Sequence, residues 1–172
     1  LTIGGKYIFS LPFLLILLSG LKIKGGLTLL QLMQLYRLIQ VLKSSARSAD
    51  DAALSLNCKV GAIVKSLLLR TENGYILCLV SGDKRCSLNK IKKILNIQDA
   101  SMANADDVKG ETGFSIGGVS PIGHLKKIPI LVDSSLSRFE YVYAAAGHPH
   151  SIFKITYKQL IKITNGKEED IV

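Results

Sequence analysis

A chain of 172 residues, 48% of them apolar, has enough material for one globular domain with a sizeable core and little room for a second. Its 22 Lys and Arg against 13 Asp and Glu give a formal charge of +9, which suits a polyanionic partner such as RNA, DNA or an acidic membrane surface without choosing among them. The three cysteines, Cys58, Cys78 and Cys86, form no C-x-x-C pair and leave an odd count, which argues against a disulfide framework and sulfur-bound metal and for a reducing compartment.

The chain begins with a divergent apolar segment, residues 1–35. Ile8 to Leu18 is an apolar run of eleven residues interrupted by Pro12, short of the ~20 that a membrane-spanning helix needs. Lys6 before it and Ser19-Gly20 after it give the outline of a signal peptide, but no small-x-small cleavage site follows. A buried or partner-covered helix is the alternative. Gly25-Gly26 punctuate the chain, and Leu27 to Leu35 resumes an apolar helical pattern.

From Tyr36 to Val172 the pattern is that of a mixed domain. Tyr36 to Leu42 alternates as a strand does, and Ser48 caps a helix through Leu56 whose first turn holds Asp50 and Asp51, where the helix dipole favours acids. Val60 to Arg70, V-G-A-I-V-K-S-L-L-L-R, then plants one lysine, Lys65, in a run with too little alternation for a half-exposed strand. A buried ammonium needs an acidic partner or a cavity that receives an anion, whereas a strand-end lysine can lay its stem on apolar surface and keep its head in water. Both readings are open at this point. Thr71-Glu72-Asn73-Gly74 predicts a hairpin into Tyr75 to Val80, because Asn-Gly readily takes positive φ.

Ser87 caps an amphipathic helix with Leu88, Ile91, Ile94 and Leu95 on one face and Lys90, Lys92 and Lys93 off it. Asn104 caps a shorter helix over Ala105 to Lys109. Ile128 to Val132, Tyr141 to Ala146 and Ile152 to Ile155 read as strands, and Lys158 to Ile163 as a closing helix. Helices and strands alternate too irregularly for a doubly wound sheet.

Three motifs carry chemistry. Gly110 to His124 holds five glycines and one proline in fifteen residues, which rules out a regular helix and lets main-chain N–H groups approach an anion or a carbonyl. It contains neither a phosphate loop nor a dinucleotide fingerprint. Within it, Gly113 to Gly117 matches G-x-S-x-G, with Asp133 and His148 downstream in hydrolase order; Gly117, Gly118 and Pro121 forbid the helix that should follow the nucleophile Ser115. In A-A-A-G-H-P-H, Ala144 to His150, the two histidines share a strand face, and with His124 they form an imaginable three-histidine metal site that lacks any nearby acid or cysteine ligand. A single histidine lining a pocket is the plainer reading.

R-S-A-D-D-A-A (47–53), G-A-I-V-K-S-L (61–67), L-V-S-G-D-K-R (79–85), T-G-F-S-I-G-G-V-S-P-I-G-H (112–124) and A-A-A-G-H-P-H (144–150) together resemble the YbaK and prolyl-tRNA-synthetase-associated domain family, in the same order. The resemblance implies a mixed α/β fold with a barrel-like sheet flanked by helices over residues 36–172, and hydrolysis in trans of amino acids wrongly attached to tRNA. It assigns catalysis to Lys65, Gly117 and Gly118, with the lysine holding the tRNA 3′ end and the loop, including Ser120 to Gly123, framing the aminoacyl carbonyl. It assigns substrate binding to Ser66, Gly82, Ser120, Pro121, Gly123, Gly147 and His148. No cofactor or metal is implied. The expected partners are mischarged tRNA and, as a further candidate, an aminoacyl-tRNA synthetase, with no DNA and no membrane, in the cytoplasm. Relatives carry a more ordinary amphipathic helix before position 36, and the Cys-tRNA(Pro) deacylase branch has an aspartate in the region of 144–150. A non-catalytic tRNA-, nucleotide- or synthetase-binding module and a serine hydrolase using Ser115 are the competing expectations.

Overall fold

The computed structural model describes residues 48–172 throughout, together with residues 39–42 and the short pairs 2–3 and 6–7. The apolar run at 8–18 and the helical pattern at 27–35 lie outside the described residues. In chain order the elements are β1 (Thr2–Ile3), β2 (Lys6–Tyr7), β3 (Ile39–Val41), α1 (Ala49–Leu56), a 3-10 turn (Val60–Ala62), β4 (Ile63–Thr71), β5 (Gly74–Ser81), α2 (Leu88–Leu95), β6 (Ala100–Met102), α3 (Ala105–Thr112), β7 (Ile130–Asp133), a second 3-10 turn (Ser134–Arg138), β8 (Tyr141–His148), β9 (Ser151–Thr156), α4 (Tyr157–Thr164) and β10 (Lys167–Glu169).

Local chemistry sets these boundaries. Ser48 and Asp51 form a reciprocal capping box at the start of α1, and Asn57 closes that helix in the left-handed conformation. Ser87 and Asn104 cap α2 and α3 through their side-chain oxygens. The closing helix starts one residue earlier than Lys158 because Thr156 and Gln159 make a second capping box. α3 runs past Lys109 through Gly110 to Thr112, so the first residues of the glycine-rich stretch are helical; the helix ends only at Gly113, at φ 81°.

One mixed sheet organises the domain, in the order β10-β7-β5-β4-β8-β9-β3, and it forks at β4, which also pairs with β6. The β4–β5 hairpin runs antiparallel from Val64↔Ser81 to Thr71↔Gly74, as the sequence predicts, but the two loop residues are Glu72 and Asn73, and of the Asn-Gly pair only Gly74, already in β5, takes positive φ, at 113°. Both of its faces are covered. Val64, Leu68, Leu77 and Leu79 join Phe114, Val142, Phe153 and Leu160 in one core, while Leu69, Ile76, Cys78 and Val80 meet Ile91 of α2 and Ile171 on the other face. Two-sided burial is why this hairpin reads as a continuous apolar run; each fully buried leucine is worth roughly 1.5–3 kcal/mol. A third cluster, with Ala52, Ala53, Ile63 and Ile152, seats α1 against the end of β4 where Lys65 begins. Among the described residues no helix is long and apolar enough to cross a membrane.

Candidate active site

The fork at β4 opens a cavity of about 470 Å³. On its outer edge β4 pairs with β8 only at Ile63↔Tyr143 and Val64↔Ala144, and with β6 only from Leu69↔Met102 onward. Between those pairings the sheet is splayed, and Lys65, Ser66, Leu67 and Leu68 all line the cavity. Side chains alternate faces along a strand, so four consecutive residues border one space only because the strand's edge is open to it.

Lys65 is half-buried, and its Nζ donates to the carbonyl of Gly82 at 3.1 Å and to that of Lys84. An ammonium has three donors, so one remains for a ligand. Burial holds its pKa below the ordinary lysine value, with Asp83 and Asp50 opposing that shift and Arg85 adding to it. The partner demanded by the buried charge is therefore mainly a pair of backbone carbonyls, with a cavity beside them.

The carbonyls are themselves held in place. Arg138 Nη2 donates to Asp83 Oδ1 at 2.8 Å and Nη1 to Asp83 Oδ2 at 3.2 Å, a two-pronged clamp on the turn that follows β5. Arg138 also reaches Ser81 Oγ at 2.9 Å, and its Nε donates to Ser135 O at 2.7 Å. The guanidinium holds the Asp83 carboxyl down at about 2. A Cβ on Gly82 would lie 2.2 Å from the Val60 carbonyl oxygen, so only glycine lets this turn approach the 3-10 turn before β4 so closely.

Of the other residues singled out from the sequence, Ser66, Gly82, Gly117 and His148 line the cavity with Lys65. Ser66 Oγ is buried there without a hydrogen-bond partner among the described residues. His148 receives the His150 N–H on Nδ1 at 3.2 Å, which leaves Nε2 as the donor of the ring. Gly147, at φ 90°, sits in a register shift between Ala145 and His148 and does not itself line the cavity; the bulge aims the histidine. Gly118 is packed against His148 and Pro149, and its N–H already donates to Ser115 O at 2.9 Å, so of the two loop glycines Gly117 alone borders the cavity. Ser120, Pro121 and Gly123 lie off it. Ser120 is buried, accepts the Ile122 N–H on Oγ, and gives its carbonyl to His124 Nε2 at 2.8 Å.

That last bond occupies one of the three histidines considered for a metal. Among the described residues no group of histidine, cysteine, aspartate or glutamate is arranged to hold one. Ser115 is exposed and off the cavity, and among the described residues no hydrogen bond links it to His148 or Asp133. Asp133 is fully buried and receives Ser135 Oγ instead. The sequence reading missed Arg138, Ile116, Val119 and Tyr143, the last three of which line the cavity. A signal for Tyr143 existed in its alternation with buried Val142 and Ala144; none pointed to Arg138.

In this mixed α/β domain one cavity brings together a half-buried ammonium, an open strand edge and Gly117 of the glycine-rich loop. Residues 43–163 match the aminoacyl-tRNA editing domain family, and the chain belongs to it. It is similar to the proline–tRNA ligase of Fervidobacterium nodosum, 35% identical over 55% of this chain and 16% of that enzyme, so the match there spans a small part of a larger protein. It is also similar to EbsC of Enterococcus faecalis, a candidate Cys-tRNA(Pro)/Cys-tRNA(Cys) deacylase, 26% identical over 72% of this chain and 76% of the relative. A solved structure described as a candidate trans-editing enzyme for prolyl-tRNA synthetase superposes with a TM-score of 0.74 at 37% identity, over 77% of this chain and 84% of the other.

Proposed function

We propose that this protein is an aminoacyl-tRNA deacylase that acts in trans on mischarged tRNA. The observation that carries the proposal is the Lys65 ammonium, held by the Gly82 and Lys84 carbonyls with one donor left, in a cavity that shows no nucleophile–base pair among the described residues. Lys65 takes the phosphate and ribose end of the acylated tRNA as a fixed cation, and His148 Nε2 offers a second donor at the mouth. The peptide groups around Gly117 face the aminoacyl carbonyl.

An ester between an amino acid and a ribose is already activated, so positioning and electrostatic stabilisation suffice. Water adds to the carbonyl carbon, the bond from that carbon to the ribose oxygen breaks, and the water's proton ends on the freed 3′-hydroxyl. No covalent enzyme intermediate is needed. The relatives support this reading, since one is named for deacylating Cys-tRNA and another for trans-editing beside prolyl-tRNA synthetase.

The experiment is incubation of the purified protein with a panel of mischarged tRNAs, scoring release of each amino acid. Release of one or a few amino acids, abolished by Lys65→Ala, is the expected result. Tight tRNA binding with no release from any member would convert the assignment to a non-catalytic binding module.

A further inference from the structure

The open edge of β4 offers more than space. In the hairpin, Thr71 and Gly74 close a two-residue turn, which makes 71, 69, 67 and 65 the positions whose peptide groups bond to β5. The even positions point the other way, and Leu68 does so visibly, its carbonyl accepting the Ala103 N–H at 3.0 Å. Val64 pairs with β8 on that same side, and Arg70 with Ser101 of β6. Ser66 lies between them. Among the described residues no strand pairs with it there, so its N–H and C=O both point into the cavity, beside its unpartnered Oγ. Peptide groups taken out of water are nearly always paired, so a ligand that fills the cavity at this edge has to pair with these two.

An aminoacyl ester carries the matching groups. Its α-nitrogen is a donor and its carbonyl oxygen an acceptor, separated as in one residue of a strand. We propose that the aminoacyl group docks as a single strand residue against Ser66, its α-amino group donating to the Ser66 carbonyl and its ester carbonyl accepting the Ser66 N–H. The pairing rests on the deacylase reading, and it makes the protein a reader of α-aminoacyl esters as a class, whatever the side chain. One lone pair of the ester carbonyl is taken by Ser66, and the other is left for the peptide groups at Gly117. The side chain then projects toward the apolar wall of Ala103, Val108, Ile116 and Val119, where size is discriminated.

Two arms test this. In the first, tRNA carrying whichever amino acid the panel shows to be released is compared with tRNA carrying the corresponding desamino acid. The expected loss is on the order of 100-fold in kcat/KM, since a site built to pair a polar group rejects the analogue lacking it. Ser66→Ala keeps the peptide groups and should keep that discrimination; so should Asp50→Asn, although Asp50 also borders the cavity. Loss of discrimination in Ser66→Ala or Asp50→Asn would assign the α-amino group to Oγ or to that carboxylate and overturn the pairing.

The second arm needs no turnover. The protein is titrated with 3′-alanylamido-3′-deoxyadenosine, in which an amide replaces the scissile ester, and with its 3′-propionylamido counterpart. The alanyl compound should shift the Ser66 amide resonance and slow its hydrogen exchange at least tenfold, and should bind at least tenfold more tightly. An unperturbed Ser66 amide, equal binding of the two compounds, or no binding of either overturns the subsite. Pairing at Ser66 with no amino acid released from any tRNA would sink the deacylase reading alone, whereas release that ignores the α-amino group would sink the subsite alone.

Discussion

Replacing Lys65 by alanine separates an electrostatic site from a serine hydrolase. With the third donor of Lys65 facing a phosphate about 4 Å away, the interaction at an effective dielectric near 20 is about 4 kcal/mol before screening. Half-burial leaves some solvent screening, so a realised loss of roughly 3 kcal/mol is expected, on the order of 100-fold or more in kcat/KM. Stability should change far less, because Lys84 is exposed and water can replace the ammonium at its carbonyl. Lys65→Arg should rescue little, since a planar fork cannot sit between the Gly82 and Lys84 carbonyls as a compact ammonium does. Ser115→Ala, on an exposed side chain off the cavity, should stay within about tenfold of the parent, as loss of a local hydrogen bond would allow. The assay is single-turnover deacylation by the three variants, each first shown to unfold cooperatively, with fluorophosphonate labelling as a control. An inactive Ser115→Ala beside an active Lys65→Ala, or stoichiometric labelling of Ser115, refutes the reasoning.

The clamp and the charges give further tests. Gly82→Ala drives a Cβ to 2.2 Å from the Val60 oxygen, so the turn that carries the lysine's partners must move; activity should fall as far as in Lys65→Ala, with a loss of about 1–3 kcal/mol of stability by chemical denaturation. Because Arg138 depresses the Asp83 carboxyl from 3.8 to about 2, the clamp stabilises the fold fully above the ordinary carboxylate value and loses that contribution as pH falls toward 2; Asp83→Asn should flatten the acid limb of the stability curve in that window, and an unchanged limb counts against the clamp. Burial lowers the Lys65 pKa, so binding of the 5′-phosphate of the propionylamido compound, which offers a phosphate and has no α-amine to titrate, should weaken on the alkaline side at a pH below 10.5, and a midpoint at or above 10.5 would remove the half-buried ammonium from ligand binding. Raising salt should weaken tRNA binding steeply, and neutralising exposed Lys84 and Arg85 should flatten that slope more than neutralising Lys90, which is already paired with Asp170 at 2.8 Å.

Much of the fold is legible because its signals are local. Ser48, Ser87 and Asn104 announce helix starts by side-chain chemistry that acts within three residues, and the turn-forming run 71–74 announces the hairpin, although only Gly74 of its Asn-Gly pair takes positive φ. Where the deciding contact is distant the signal fades. β6 is three residues long, two of them exposed, and exists because Arg70 and Thr71 offer it an edge. β10, K-E-E, has the composition of a solvated turn, and only its parallel pairing with β7 makes it a strand.

The site divides along the same line. A lysine inside an apolar run is visible in one dimension, because its burial cost must be answered somewhere; the identity of the answer is not, since backbone carbonyls leave no mark on composition. Arg138 reaches Asp83 across 55 residues, and neither residue type nor spacing links them beforehand. The open edge at Ser66 is the furthest from sequence, for it depends on two partners of β4 that stop short of each other: β8 leaves the strand after Val64, and β6 meets it only from Leu69. The register shift of β8 against β9 at 145–148 follows directly on the last β4 pairing at Ala144, and His148 at its end lines the cavity. A glycine expected from the sequence to touch substrate thus lies off the cavity, beside the histidine that lines it. Filling Gly147 with a side chain would strain a residue at φ 90° and rotate that imidazole, which makes the bulge, and not the glycine's own surface, the feature on which the cavity depends.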